Sequence, residues 1–174
     1  MTKPSKEKNL PSRRLLIMRH AKSDWDMAAA TDFDRPLNKR GERDAPCMGQ
    51  WLRKNKLIPD WIISSPALRA KETVLLVCEE LGLKKKAIHW EEKLYAAELK
   101  TLLTALAQCP EDRHLVMLVG HNPGLEELLV YLTGMENRMP TAAIACIQLP
   151  QNWGRLKRGS GQLETLIFPK ALAD

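Results

Sequence analysis

Two stretches of the chain are apolar without polar alternation: Leu15-Leu16-Ile17-Met18 and Leu115-Val116-Met117-Leu118-Val119. Such runs read as strands buried on both faces, the habit of a parallel sheet. Asp60-Trp61-Ile62-Ile63-Ser64 predicts a further strand and residues 87–90 a short one. Residues 142–149 and 163–168 predict two closing strands around a Gly-rich connection over 154–161. Between the strands the apolar period becomes helical. Asn38 as cap predicts a helix to about residue 55, with Ala45, Met48 and Leu52 on one face and Pro46 marking a kink or a late start. Ser65 as N-cap and Pro66 at the first helical position open the next helix; Val74, Val77, Cys78 and Leu81 are its stripe and Gly82 its stop. Leu99, Leu102, Leu103 and Leu106 mark a third. Asn122 caps a fourth with Pro123 inside its start, Leu125, Leu128, Leu129 and Leu132 buried, and Gly134 ending it. Strands alternating with helices predict the α/β class, a three-layer α/β/α sandwich on a mostly parallel central sheet. Residues 1–12, polar and carrying Pro4 and Pro11, read as a flexible basic arm ahead of one domain over 13–174.

Composition adjusts this picture slightly. Lys plus Arg number 27 against 21 Asp plus Glu, a net +6 that leans toward acidic or phosphorylated partners. The basic clusters, Lys3 to Arg14 and Lys84-Lys85-Lys86, read as solvated tail and loop. No aromatic–basic interleaving suggests nucleic acid. Cys47, Cys78, Cys109 and Cys146 form no C-x-x-C pair, which argues against a zinc ribbon or a redox motif and for reduced thiols in the cytosol. With no run near the ~18 apolar residues of a membrane span, the expectation is a soluble, cytoplasmic monomer.

The chemistry collects at strand ends. The first strand ends in Arg19-His20; the second ends in Ser64-Ser65-Pro66, with Arg69 in the following helix; the third ends in Gly120-His121, ahead of a helix N-terminus. Parallel strands bring such ends to one edge, where ligands of open α/β sheets bind and helix N-termini favour anions. Two guanidinium forks suit a phosphoryl group, and a neutral imidazole is a competent nucleophile toward phosphorus. Each group alone has a plainer reading: a hydrogen-bonded structural His, an Arg69–Glu72 pair on one helix face, a cap at Asn122. Their convergence favours the site. A metal hydrolase using His20, His89, His114 and His121 is disfavoured, because these histidines have no metal-motif spacing.

Arg19-His20-Ala21-Lys22-Ser23, Arg35-Pro36-Leu37, Ser64-Ser65-Pro66-Ala67-Leu68-Arg69-Ala70, Gly120-His121-Asn122-Pro123-Gly124 and Pro140-Thr141-Ala142-Ala143 together resemble the histidine phosphatase superfamily. Within it they are closest to the small SixA-type phosphohistidine phosphatases. The resemblance spans about residues 14–168. It implies a phosphoglycerate mutase-like fold and a metal-free, cofactor-free, two-step hydrolysis. His20 would become phosphorylated, with Arg19, Arg69 and His121 binding the phosphoryl oxygens and Ser23 and Asn122 as further substrate contacts. Where the superfamily often has Gly after the Arg-His pair, this chain has Ala21. For the general acid, Glu92, three residues before Tyr95, matches the spacing of the mutase branch, and Asp24 is the alternative. The expected substrate is a phosphorylated protein carrying phosphohistidine, or else a small phosphorylated molecule; a non-catalytic phosphate-binding module is the rival class.

Overall fold

The apolar runs form the centre of a six-stranded sheet in the computed structural model of the chain, which describes residues 12–25, 31–150 and 152–173. The strands are β1 (Arg13–Arg19), β2 (Trp61–Ser64), β3 (Ile88–Trp90), β4 (Leu115–Gly120), β5 (Ile144–Leu149) and β6 (Gln162–Ile167), in spatial order β3-β2-β4-β1-β5-β6. The first four pair in parallel, and β5 runs antiparallel to both β1 and β6. Successive residues of β1 explain its unbroken apolarity. Leu16 and Met18 pack on one side against α1 (Lys39–Lys54) and α2 (Leu68–Leu81), while Leu15 and Ile17 pack on the other against α3 (Leu99–Ala107) and α4 (Gly124–Thr133). Each face therefore has its own core, and the sheet is the middle layer of an α/β/α sandwich. A short α5 (Pro169–Leu172) lies near α1. Among the described residues, no helix is long and apolar enough to cross a membrane. The arm expected over residues 1–12 lies, but for Ser12, outside the described residues.

Local signals fixed several helix ends as read. The Asn38 side chain accepts from Gly41 N at 2.9 Å, and Gly82 (φ 69°) and Gly134 (φ 71°) close α2 and α4 in the left-handed conformation. Pro46 does not delay the start of α1, which begins at Lys39 and runs uninterrupted through it. Two starts differ from expectation. Ser65 and Pro66 do not open α2; its cap position is Ala67. The chain stays extended one residue further, with Ser65 N–H donating to Val119 O at 3.0 Å and the Ser65 hydroxyl drawn to His121. Asn122 likewise does not cap α4, whose cap position is Pro123. Its amide instead donates to Glu126 Oε1 and to Met139 O, both at 3.0 Å. In both cases a long-range partner outcompetes the local cap.

Register places the strand ends together. Arg19 lies opposite Gly120, and Ser64 opposite Val119, so β1, β2 and β4 finish at one level. Glycines let the surrounding segments close in: a Cβ at Gly41 would overlap the carbonyl oxygen of Lys22, and one at Gly124 would overlap that of Ala97. Helix α1 thus lies directly on the loop that leaves β1.

Candidate active site

At that edge lies a pocket of about 180 Å³. Arg19, His20, Lys22, Ser23, Trp25, Arg35, Arg69, His121, Asn122 and Thr141 line it. Six of the seven expected site residues are therefore brought together. Glu92 is not: it stands exposed in the turn Glu92–Leu94, away from the lining. Asp24, half-buried, also does not line the pocket; its backbone N–H donates to Pro36 O at 2.9 Å.

The backbone fixes His20 from three sides. Its N–H donates to Gly120 O at 3.1 Å, and its carbonyl accepts from Ala142 N at 3.0 Å. Its ring Nδ1 donates to Ala21 O at 2.7 Å. The ring proton is thereby placed on Nδ1, and Nε2 keeps its lone pair. Arg69 Nε donates to that lone pair at 3.4 Å, a long contact that an electrophile can displace. Ala21 serves where glycine is frequent because nothing here needs a positive φ. Among the described residues, the non-glycines with positive φ are Lys56, Ala96 and Ala142. Ala21 N donates to Thr73 Oγ1 at 2.9 Å, and that hydroxyl donates to Arg69 O at 2.6 Å, which joins the His20 strand end to α2.

The two forks are held differently. Arg19 Nη1 donates to Met139 O at 3.0 Å, and its buried Nε makes no hydrogen bond among the described residues. Arg69 donates from Nη1 to Asp32 O at 2.8 Å and from Nη2 to Asp32 Oδ2 at 3.1 Å. Its partner is thus Asp32, not the neighbouring Glu72, which accepts instead from Leu37 N at 2.7 Å. Asp32 also accepts from Arg35 Nε at 2.9 Å and from the Tyr95 hydroxyl at 2.6 Å. Arg35 in turn donates to Ser23 Oγ at 2.8 Å and lies 3.5 Å from the Trp25 ring centroid. The described parts of the segment after β1, residues 21–25 and 31–37, therefore frame the site. Its anchors Asp32, Arg35 and Tyr95 were not among the expected site residues, although Tyr95 stands three positions beyond the Glu92 that drew attention.

Electrostatics follow from this crowding. Burial, reinforced by His121, Arg69 and Arg19, pushes the His20 imidazole down to about 3 against the hydrogen bond to Ala21. Burial and then Arg69 push His121 down to about 4. The Tyr95 hydroxyl, followed by Arg69 and Arg35, holds the Asp32 carboxyl at about 2, so it is ionised at neutral pH and cannot give up a proton there. Both imidazoles are neutral at pH 7, which suits one to attack and the other to donate a single hydrogen bond.

This has a consequence for stability. The folded-state values of both rings lie below the ordinary 6.5, so the unfolded chain takes up protons first as pH falls. The stability associated with the neutral rings is complete above about 6.5 and is lost as pH falls from there toward 4 and 3. Urea unfolding at pH 7.5 and 5 is expected to show wild type losing on the order of 1 to 2 kcal/mol per imidazole. The loss should be smaller in a His20→Ala, His121→Ala protein. An equal loss in both proteins would mean that the rings titrate when folded much as they do in the open chain.

Known proteins share this fold. Residues 15–100 match the Histidine phosphatase superfamily (branch 1). An uncharacterized chloroplastic protein of Arabidopsis thaliana is 32% identical over 173 residues, covering 91% of this chain and 78% of its own length. Phosphohistidine phosphatase SixA of Escherichia coli K12 is 29% identical over 143 residues, covering 80% of this chain and 87% of its own. A solved structure of the protein histidine phosphatase SixA complexed with tungstate superimposes with a TM-score of 0.79 at 26% identity, covering 91% of this chain and 99% of that one. Taken with the sandwich fold and the Arg-His strand end among paired guanidinium groups, these likenesses make the chain a phosphatase belonging to the histidine phosphatase superfamily.

Proposed function

We propose that the chain removes the phosphoryl group from phosphohistidine in a protein, without a metal ion, through a phosphohistidine formed on its own His20. The observation that carries this reading is the His20 ring: Nδ1 is committed to Ala21 O, and the free Nε2 faces Arg69 in a pocket shared with Arg19 and His121. In the first step Nε2 attacks phosphorus, and the substrate's P–N bond breaks. The substrate ring, protonated on its other nitrogen by solvent, takes the electron pair of that bond and leaves as a neutral imidazole. In the second step water attacks and gives its proton to solvent, the electron pair of the P–Nε2 bond returns to Nε2, and phosphate departs with His20 restored as the Nδ1–H ring. Arg19, Arg69 and His121 take the charge on the equatorial oxygens.

The substrate class rests on what can supply a proton. An alkyl ester oxygen leaves as a strong base and needs an acid at the site; an imidazole that has taken a proton from solvent on its other nitrogen leaves as a neutral molecule. The lining named above contains no carboxyl group among the described residues, and Asp32 is held ionised. A pocket of about 180 Å³ gives room for a phosphoryl group and the ring that carries it. The four unpaired cysteines support a reducing, cytoplasmic setting for such a phosphoprotein.

The test is phosphate release, with EDTA present, from a phosphohistidine peptide and from an alkyl phosphomonoester such as glycerol phosphate, whose leaving oxygen needs a proton. A kcat/KM at least about tenfold higher on the peptide is expected, the size of one good discriminating interaction. Preference for the ester would transfer the chain to small-molecule phosphomonoesterases. Phosphate binding with no release from either would leave a binding module.

A further inference from the structure

Ser65 lies at the end of β2, fully buried and outside the pocket lining, and its Oγ is 2.7 Å from His121 Nε2. A hydroxyl has one proton to give and two lone pairs to receive with. One lone pair of Ser65 accepts from Ala67 N at 3.3 Å. If His121 donated from Nε2 as well, the Ser65 proton would have no acceptor among its contacts at a position with no exposure. A buried donor left so is costly. With Nε2 donating, the Ser65 proton and the Nδ1 lone pair would both lack a partner; with Ser65 donating to Nε2, only Nδ1 does, so the second arrangement is favoured. It places the single proton of the neutral His121 ring on Nδ1, which is buried and makes no hydrogen bond among the described residues.

We propose that Ser65 is a positioning residue that fixes the tautomer of His121, so that Nδ1–H is the donor presented to the phosphoryl group. This rests on the reading that His121 binds phosphoryl oxygen. With the opposite tautomer, Nδ1 would turn a lone pair toward an anion, and the ring would repel what it is placed to hold. Ser65 thus does for His121 what the Ala21 carbonyl does for His20: one outer partner per ring makes His20 an acceptor at Nε2 and His121 a donor at Nδ1.

Long-range ¹H–¹⁵N correlation of the histidine rings at pH 7.5 tests this in the unmodified protein. His121 is expected to show a protonated Nδ1 and a bare Nε2; a protonated Nε2 would overturn the proposal. Ser65→Ala is expected to shift His121 toward protonation at Nε2. It should also weaken orthovanadate binding and lower kcat/KM by about 10- to 100-fold, below the loss of a whole oxyanion donor. In a His121→Ala background the same Ser65→Ala change is expected to cost less than threefold, because its target is gone. Equal losses in both backgrounds would make Ser65 a structural residue only. If wild type shows the expected tautomer yet releases no phosphate from phosphohistidine, the proposed reaction fails and the Ser65 assignment stands.

Discussion

With alanine at position 20, kcat is expected to fall about 10⁴-fold or more, the scale seen when a covalent nucleophile is removed, while tungstate remains bound. The two outcomes separate because the ring and the anion clamp are held independently. Arg69 keeps both its Nη contacts to Asp32, Arg19 keeps Met139 O, and His121 keeps Ser65 when the ring is gone. Of the ring's hydrogen bonds, those to Ala21 O and from Arg69 Nε are lost, together with the tilted ring contact to His121 at 5.2 Å. Rapid acid-free quenching with labelled phosphohistidine peptide should trap a phosphoenzyme in wild type, labile to acid and stable to base, as a P–N bond requires. The same quench of His20→Ala should trap none. Residual turnover within tenfold of wild type, or a phosphoenzyme stable to acid, would remove His20 from the role of nucleophile.

What the sequence made legible was what local pattern and strand direction determine. Unbroken apolar runs placed β1 and β4 in the middle of the sheet, and parallel strands ending in Arg19-His20, Ser64 and Gly120-His121 had to meet at one edge. Asn38 was readable as a cap because its partner, Gly41, is three residues away. The misread positions share the opposite property. Ser65 bonds to a ring 56 residues on, and Asn122 to a carbonyl 17 residues on. Neither partner is visible to a helix-start rule, which predicts a local cap where a tertiary contact wins. The loop anchor escaped for the same reason: Asp32 meets Arg69 across 37 residues and Tyr95 across 63. The length of the irregular stretch over 21–37, leaving the end of the first strand, is the feature of the sequence that points to this segment. It did not say which carboxylate would meet which guanidinium.

That anchor makes Arg69→Lys far from conservative. The guanidinium, only 5% exposed, serves three partners in fixed directions: His20 Nε2 at 3.4 Å, Asp32 O at 2.8 Å and Asp32 Oδ2 at 3.1 Å. Of its five N–H groups, two remain for a phosphoryl group, one on each terminal nitrogen. Lysine keeps the charge but gathers its donors on one atom, so an ammonium turned to Asp32 is turned away from the substrate. The expected result is a kcat/KM about 10²- to 10³-fold lower, the range for losing an oriented donor to a transition-state oxygen. KM should change less than kcat, since the ammonium still attracts the anion. Steady-state kinetics with a thermal-unfolding control measures this directly. A variant within threefold of wild type would mean that charge alone is required at position 69. A large loss with a normal unfolding profile would mean that catalysis depends on the fork, whose two terminal nitrogens are each tied to Asp32.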